Sequence, residues 1–178
     1  MSERNNFVFK GLTVVAWIIF VGLCIEACAL LVNFVFSLFK PEFVHNLYQK
    51  LDLSDLYYSS QPVFFGIYSF ILFISGLKAY LFYIVIRLLN KLDLEKPFNS
   101  FVAEQITQMS HLTFSIGIIS YIAREVTRNM SHHGFDSDTL NEFWADSQAF
   151  ILMSAVIYVI ATIFTKGVEL QHENDLTV

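Results

Sequence analysis

Charge is what this chain of 178 residues lacks most: only 15% of it is Asp, Glu, Lys or Arg, against about a quarter in a typical soluble domain. Phe, Ile, Leu and Val fill the gap in long blocks. Hydrophobic residues make up 55% of the chain and aromatic ones 16%, with a mean hydropathy of +0.54. That pattern excludes an ordinary soluble globular class and indicates a chain embedded in a membrane. Basic residues are scarcer still, 11 against 16 acidic ones, for a net charge of −5. A direct nucleic-acid ligand is thereby excluded, because phosphate contacts need a basic face. Cysteine occurs twice, at Cys24 and Cys28, both inside the first apolar block. There is no CxxC and no polar reactive setting, so they read as small hydrophobes rather than a disulfide or redox pair. Internal repeats, low-complexity runs and linkers are also missing, which makes residues 1–178 one domain. No nucleophile–base pair, phosphate-binding glycine loop or metal motif appears, so neither catalysis nor a cofactor is expected.

What the chain does have is four apolar blocks. Three prolines stand at their edges. The first block runs over about residues 11–39 and ends at Lys40-Pro41, since proline cannot continue a helix. It is too long for the apolar core of a cleaved signal peptide, about 7–15 residues, and reads as a retained spanning helix. Ile25-Glu26-Ala27-Cys28 is a poor lipoprotein cleavage box, because it contains Glu26 and the apolar run continues past Cys28. Residues 42–61 carry Phe43, Val44, Leu47, Tyr48 and Leu51 at helical spacing, as in a short helix lying on the bilayer surface, with Tyr57 and Tyr58 in the interfacial belt. Pro62 opens the second helix, about 62–89. A charged turn follows, and Pro97 suits the first turn of the third helix, about 98–128. Thr139-Leu140-Asn141-Glu142 matches a capping box ahead of the fourth helix, about 140–166, which Lys166-Gly167 should end. Residues 167–178 form a polar, acidic tail. The fold class is therefore all-α, an integral membrane bundle of four transmembrane helices with short loops. Arg4, Lys10, Arg87, Lys91, Lys96 and Lys166 flank one side; Lys40, Lys50, Arg124 and Arg128 flank the other. Six against four favours both termini in the cytoplasm.

The polar residues within these blocks are the candidate site. Glu26 lies near the middle of the first helix, where a carboxylate costs several kcal/mol unless neutral or paired. Gly22, Glu26, Ala29 and Asn33 share one helical face. Lys78 lies within about one turn of Glu26 in depth, so the two are expected to pair or to share a network with the third helix. Such a pair serves either as a lock on helix register or as a functional polar site. In the third helix Glu104, Gln108, His111 and Ser115 fall on one stripe. His111 suits proton handling or pH sensing, but a lone His on such a stripe is more often simply hydrogen-bonded. It is the only intramembrane histidine, which argues against haem ligation. His132, His133, Asp136 and Asp138, with His45, show no firm metal-ligand spacing and read as solvated loop. Ser154, Tyr158, Thr162 and Thr165 line one side of the fourth helix, suited to interhelical hydrogen bonds.

The tail Gly167-Val168-Glu169-Leu170-Gln171-His172-Glu173-Asn174-Asp175-Leu176-Thr177-Val178, with Lys96-Pro97-Phe98 and Gln148-Ala149-Phe150, resembles a family of small bacterial membrane proteins of unknown function, domain of unknown function 2975. The resemblance spans most of the chain. It implies the four-helix layout and the bacterial inner membrane, and carries no established activity. Members are often encoded beside a small helix-turn-helix regulator, so the resemblance also implies a signalling role. Glu169, Gln171, Glu173, Asn174 and Asp175 are then candidates to contact a soluble partner. The plainer alternative is that this tail caps the fourth helix and packs under the bundle.

The leading expectation is a non-enzymatic sensor or regulator. Glu26, Asn33, Lys78, Glu104, Gln108, His111 and Ser115 would line its intramembrane pocket, and a cytosolic helix-turn-helix regulator would read its tail. From another class, the alternative is an oligomeric small-solute or ion transporter or channel, which needs a homo-oligomer because four helices rarely enclose a pathway alone. A membrane enzyme acting on lipid or quinone is a third option that no nameable catalytic group supports.

Overall fold

The computed structural model describes residues 3–39, 53–92, 97–131, 140 and 143–175. Helix α1 spans Glu3–Phe39, α2 Ser54–Ser59, α3 Gln61–Lys91, α4 Ser100–Ser131 and α5 Ser147–Asp175. The described residues are all helix and short connection, with no strand among them. Three helices are long and apolar enough to cross a membrane, over Phe7–Phe39, Gln61–Lys91 and Ser147–Glu173. α4 falls short on hydropathy, because its sequence mixes hydroxyl, amide and charged side chains with the apolar ones.

Sequence signals account for most boundaries. Pro62 lies in the first turn of α3, where its missing N–H leaves no bond unmade. Asn99 caps α4, its Oδ1 accepting from the Val102 amide at 2.9 Å. Pro97 therefore precedes the cap instead of sitting inside the first turn. α1 begins well before the apolar block, since nothing between Asn5 and Lys10 interrupts the hydrogen-bond ladder. The stop expected at Lys166-Gly167 does not occur, and α5 runs on to Asp175. Gly167 serves close packing here: a Cβ at this position would overlap the Phe98 ring. The Lys166–Glu169 ion pair at 2.7 Å bridges the next turn. The capping box at Thr139, Asn141 and Glu142, the surface stretch 42–52, and the loop histidines and aspartates lie outside the described residues.

The long helices pack in chain order: α1 on α3, α3 on α4, α4 on α5. Ring contacts between Phe34 and Phe65 (5.7 Å) and between Phe20 and Tyr83 (6.3 Å) set α1 antiparallel to α3. The Tyr68 hydroxyl donates to the Leu30 carbonyl across the same seam at 3.1 Å. Two cores result. The larger lies at the end away from the termini, where Leu30, Leu53, Tyr57, Phe64, Tyr68, Ile116, Ala123, Leu140 and Trp144 are buried together. Tyr57 belongs to this core, its ring 5.1 Å from Phe64, so of the expected interfacial pair only Tyr58 faces outward. The smaller core, Val102, Ile106 and Ala161, lies at the end that carries both termini. The molecule thus has a large buried core at one end and a small one at the other.

Candidate functional site

The α4–α5 seam is built from small and hydroxyl side chains. Ser110, Thr113, Ser120 and Thr127 are buried at heptad spacing with Gly117 among them. Ser110 donates to the Ser154 carbonyl at 3.0 Å. At Gly117 a Cβ would meet Ile151 Cγ1 at 2.7 Å and the Ile151 amide nitrogen at 2.9 Å. The two backbones can approach this closely only because the side chains between them are small. This stripe is what sequence reasoning missed; the run of Ser, Thr and Gly three and four residues apart was the signal. On α5 it is Ser147, Ser154 and Ala161 that turn inward, whereas Tyr158 and Thr162 are exposed.

The expected polar stripe of α4 lies beside this seam. Glu104, Gln108 and His111 line an open groove of about 510 Å³ near the terminal end, together with Ser100 and Thr107 of the same helix and Thr165 and Glu169 of α5. Gln108 Nε2 donates to the Tyr80 hydroxyl at 3.1 Å, tying the groove floor to α3. Glu104 and His111 are exposed to the groove mouth, and Glu169 holds Lys166 at 2.7 Å. Ser115 stands one turn beyond the groove, its hydroxyl donating to the His111 carbonyl at 2.9 Å. Groove and tail share one helix: Glu169 lines the groove, and Gln171 and Glu173 follow on the same unbroken α5, whose backbone continues through Asn174 and Asp175.

Other candidates lie apart from this groove. Glu26 and Asn33 are half-buried on α1, which packs on α3 and not on the α4–α5 seam. Lys78 is half-buried on α3 with its ammonium 5.8 Å from the centre of the Phe150 ring. The expected pairing of Glu26 with Lys78 is not made. Depth does not separate them: Phe20 opposite Tyr83 sets position 78 opposite position 25, and Phe34 opposite Phe65 sets it opposite position 21. Direction is what separates them. Lys78 lies ten residues beyond Tyr68, about 80° around α3 from the α1 seam, and turns toward α5 instead. Among the described residues no group of three or more His, Cys, Asp or Glu stands together to hold a metal ion.

Three helices long and apolar enough to cross a membrane, in an all-helical fold with a polar groove let into one end, mark a membrane protein. The chain belongs to the family described as Protein of unknown function (DUF2975), which matches residues 40–178 and so begins just after α1. No curated protein and no solved structure matches it.

Proposed function

We propose that this protein is a non-enzymatic sensor or regulator of the bacterial inner membrane that detects a small polar solute in the α4–α5 groove and reports it through its tail. Four helices cross the bilayer in this reading, both termini lie in the cytoplasm, and a cytosolic helix-turn-helix regulator is the soluble partner. α4 makes the fourth crossing because both helices that sandwich it are themselves long and apolar enough to span. Ser110, Thr113, Ser120 and Thr127 are turned into the seam, and Glu104, Gln108 and His111 into the groove, which in this reading keeps them from lipid. One observation carries the proposal: the groove wall and the acidic tail are parts of a single helix. An occupant that draws Glu104 and Glu169 together shifts the end of α5, and with it Gln171, Glu173, Asn174 and Asp175. A ligand moves such an equilibrium only as far as it binds one arrangement better than the other.

The groove offers two carboxylates, an imidazole, an amide and three hydroxyls, with one carboxylate already holding Lys166. That chemistry suits a small cationic head. The test is an environment-sensitive fluorophore at His172→Cys, with Cys24 and Cys28 replaced by serine, in lipid nanodiscs titrated with ethanolamine, spermidine and uncharged glycerol. A saturable tail signal for a cationic probe, weakened at least tenfold by Glu104→Gln, is expected, since a charge-assisted hydrogen bond is worth about 1.5–3 kcal/mol. A tail signal that stays flat for all three probes to millimolar concentration would overturn the proposal.

A further inference from the structure

Glu26 and Lys78 are each left incomplete in a way that points outside one copy of the chain. Among the described residues, Glu26 takes part in no ion pair or hydrogen bond, and Lys78 has only the Phe150 ring. Both are only half-buried at the middle of membrane-spanning helices. A charged group there is costly unless it meets its counterpart. Among the described residues, the face of α1 that carries Glu26 has no helix against it at Gly22, where a Cβ would find nothing within 4 Å. Between α3 and α5, Leu81, Phe82, Val85, Met109, Asp146 and Phe150 line an open, largely apolar groove of about 320 Å³, and Phe150 is the ring beneath Lys78.

We propose that two copies of this chain associate side by side in the membrane, α1 of each lying in the lateral groove of the other, so that Glu26 of one copy meets the partner's Lys78. Charge complementarity selects this occupant over a lipid chain, which would fill the apolar groove but leave both charges unmet. Depth permits it. Two copies inserted in the same orientation are related by a two-fold axis along the membrane normal, so residues at matching depth in one chain stay at matching depth across the pair. The register puts Glu26 and Lys78 within about a turn of each other. Gly22 and Ala29 flank Glu26 and let the partner approach closely. The symmetry makes the interface isologous, with two such pairs per dimer.

The experiment is mass measurement in lipid nanodiscs and mild detergent, by light scattering and native mass spectrometry. The unaltered protein is expected to be a dimer, with Glu26→Gln and Lys78→Met each weakening association at least tenfold. The deciding pair is Glu26→Lys and Lys78→Glu. Each alone presents like charges at both contacts and should be monomeric, whereas an equimolar mixture should form a heterodimer in which both contacts are again opposite in sign. Circular dichroism checks that each variant stays helical, and the neutral variants carry the test should a reversal fail to insert. A monomer with a lipid bound in the groove, dimerisation unaffected by the neutral variants, or a mixture that stays monomeric would each overturn the proposal. None of these outcomes bears on the α4–α5 groove, whose residues are different.

Discussion

Two glycines of similar appearance in the sequence have opposite meanings once their surroundings are known. At Gly117 a side chain would strike the Ile151 backbone, which cannot move without parting α4 from α5. Gly117→Ala should therefore cost about 1–3 kcal/mol as overpacking, only partly offset by about 1 kcal/mol of helix propensity. A melting temperature lower by several degrees in mild detergent is the readout. At Gly167 the obstacle is the Phe98 ring, which is 40% exposed and free to turn aside. Gly167→Ala should shift the same melt by less than about 0.5 kcal/mol. Gln105 supplies a third case. It is 2% exposed and its Oε1 has no hydrogen-bond partner among the described residues. An unsatisfied buried acceptor costs about 1–3 kcal/mol, so Gln105→Met should raise the melting temperature. An unchanged or lower value would mean that Gln105 has a polar partner the described residues do not include.

At the scale of the helix, apolar block length and the three prolines made α1, α3 and α5 readable from the sequence. α4 was readable as a helix but not as the most crowded one, because its buried face is small and hydroxyl-rich and resembles an exposed face by composition. Helical periodicity puts Glu104, Gln108 and His111 on one stripe, and all three line the groove. Periodicity fixes faces within a helix but says nothing of which neighbour a face meets. That is why Lys78 and Glu26, matched in depth, turned out to look in different directions. The end of α5 escaped reading for a related reason. Glycine after a basic residue normally signals a helix stop, whereas Gly167 lies mid-helix against the Phe98 ring. Because α5 is continuous, Gly167→Pro should cost about 3 kcal/mol of helix stability locally and uncouple tail from groove. Limited proteolysis should then cut between residue 167 and the C-terminus while the remaining chain stays folded; resistance equal to the unaltered protein would argue that the tail is held by something other than helix α5.

Taken whole, the molecule is asymmetric: Trp144, Phe64 and Tyr68 are fully buried in the large core at one end, and the polar groove opens beside the small core at the other. Trp144→Ala should cost about 3–5 kcal/mol, whereas Phe98→Ala at the open end should cost well under half of that, both read by thermal melts. Comparable losses at the two ends would remove the asymmetry on which motion of the groove depends. Reporting through the tail requires α5 to be one rod from its buried seam to Asp175. Hydrogen–deuterium exchange in nanodiscs tests this directly. Amides of Val168 to Glu173 should exchange slowly, with protection continuous with that of Thr162 to Lys166. Exchange as fast as in an unstructured peptide from Val168 onward would contradict the account, because a groove with no rigid connection to its tail could report nothing.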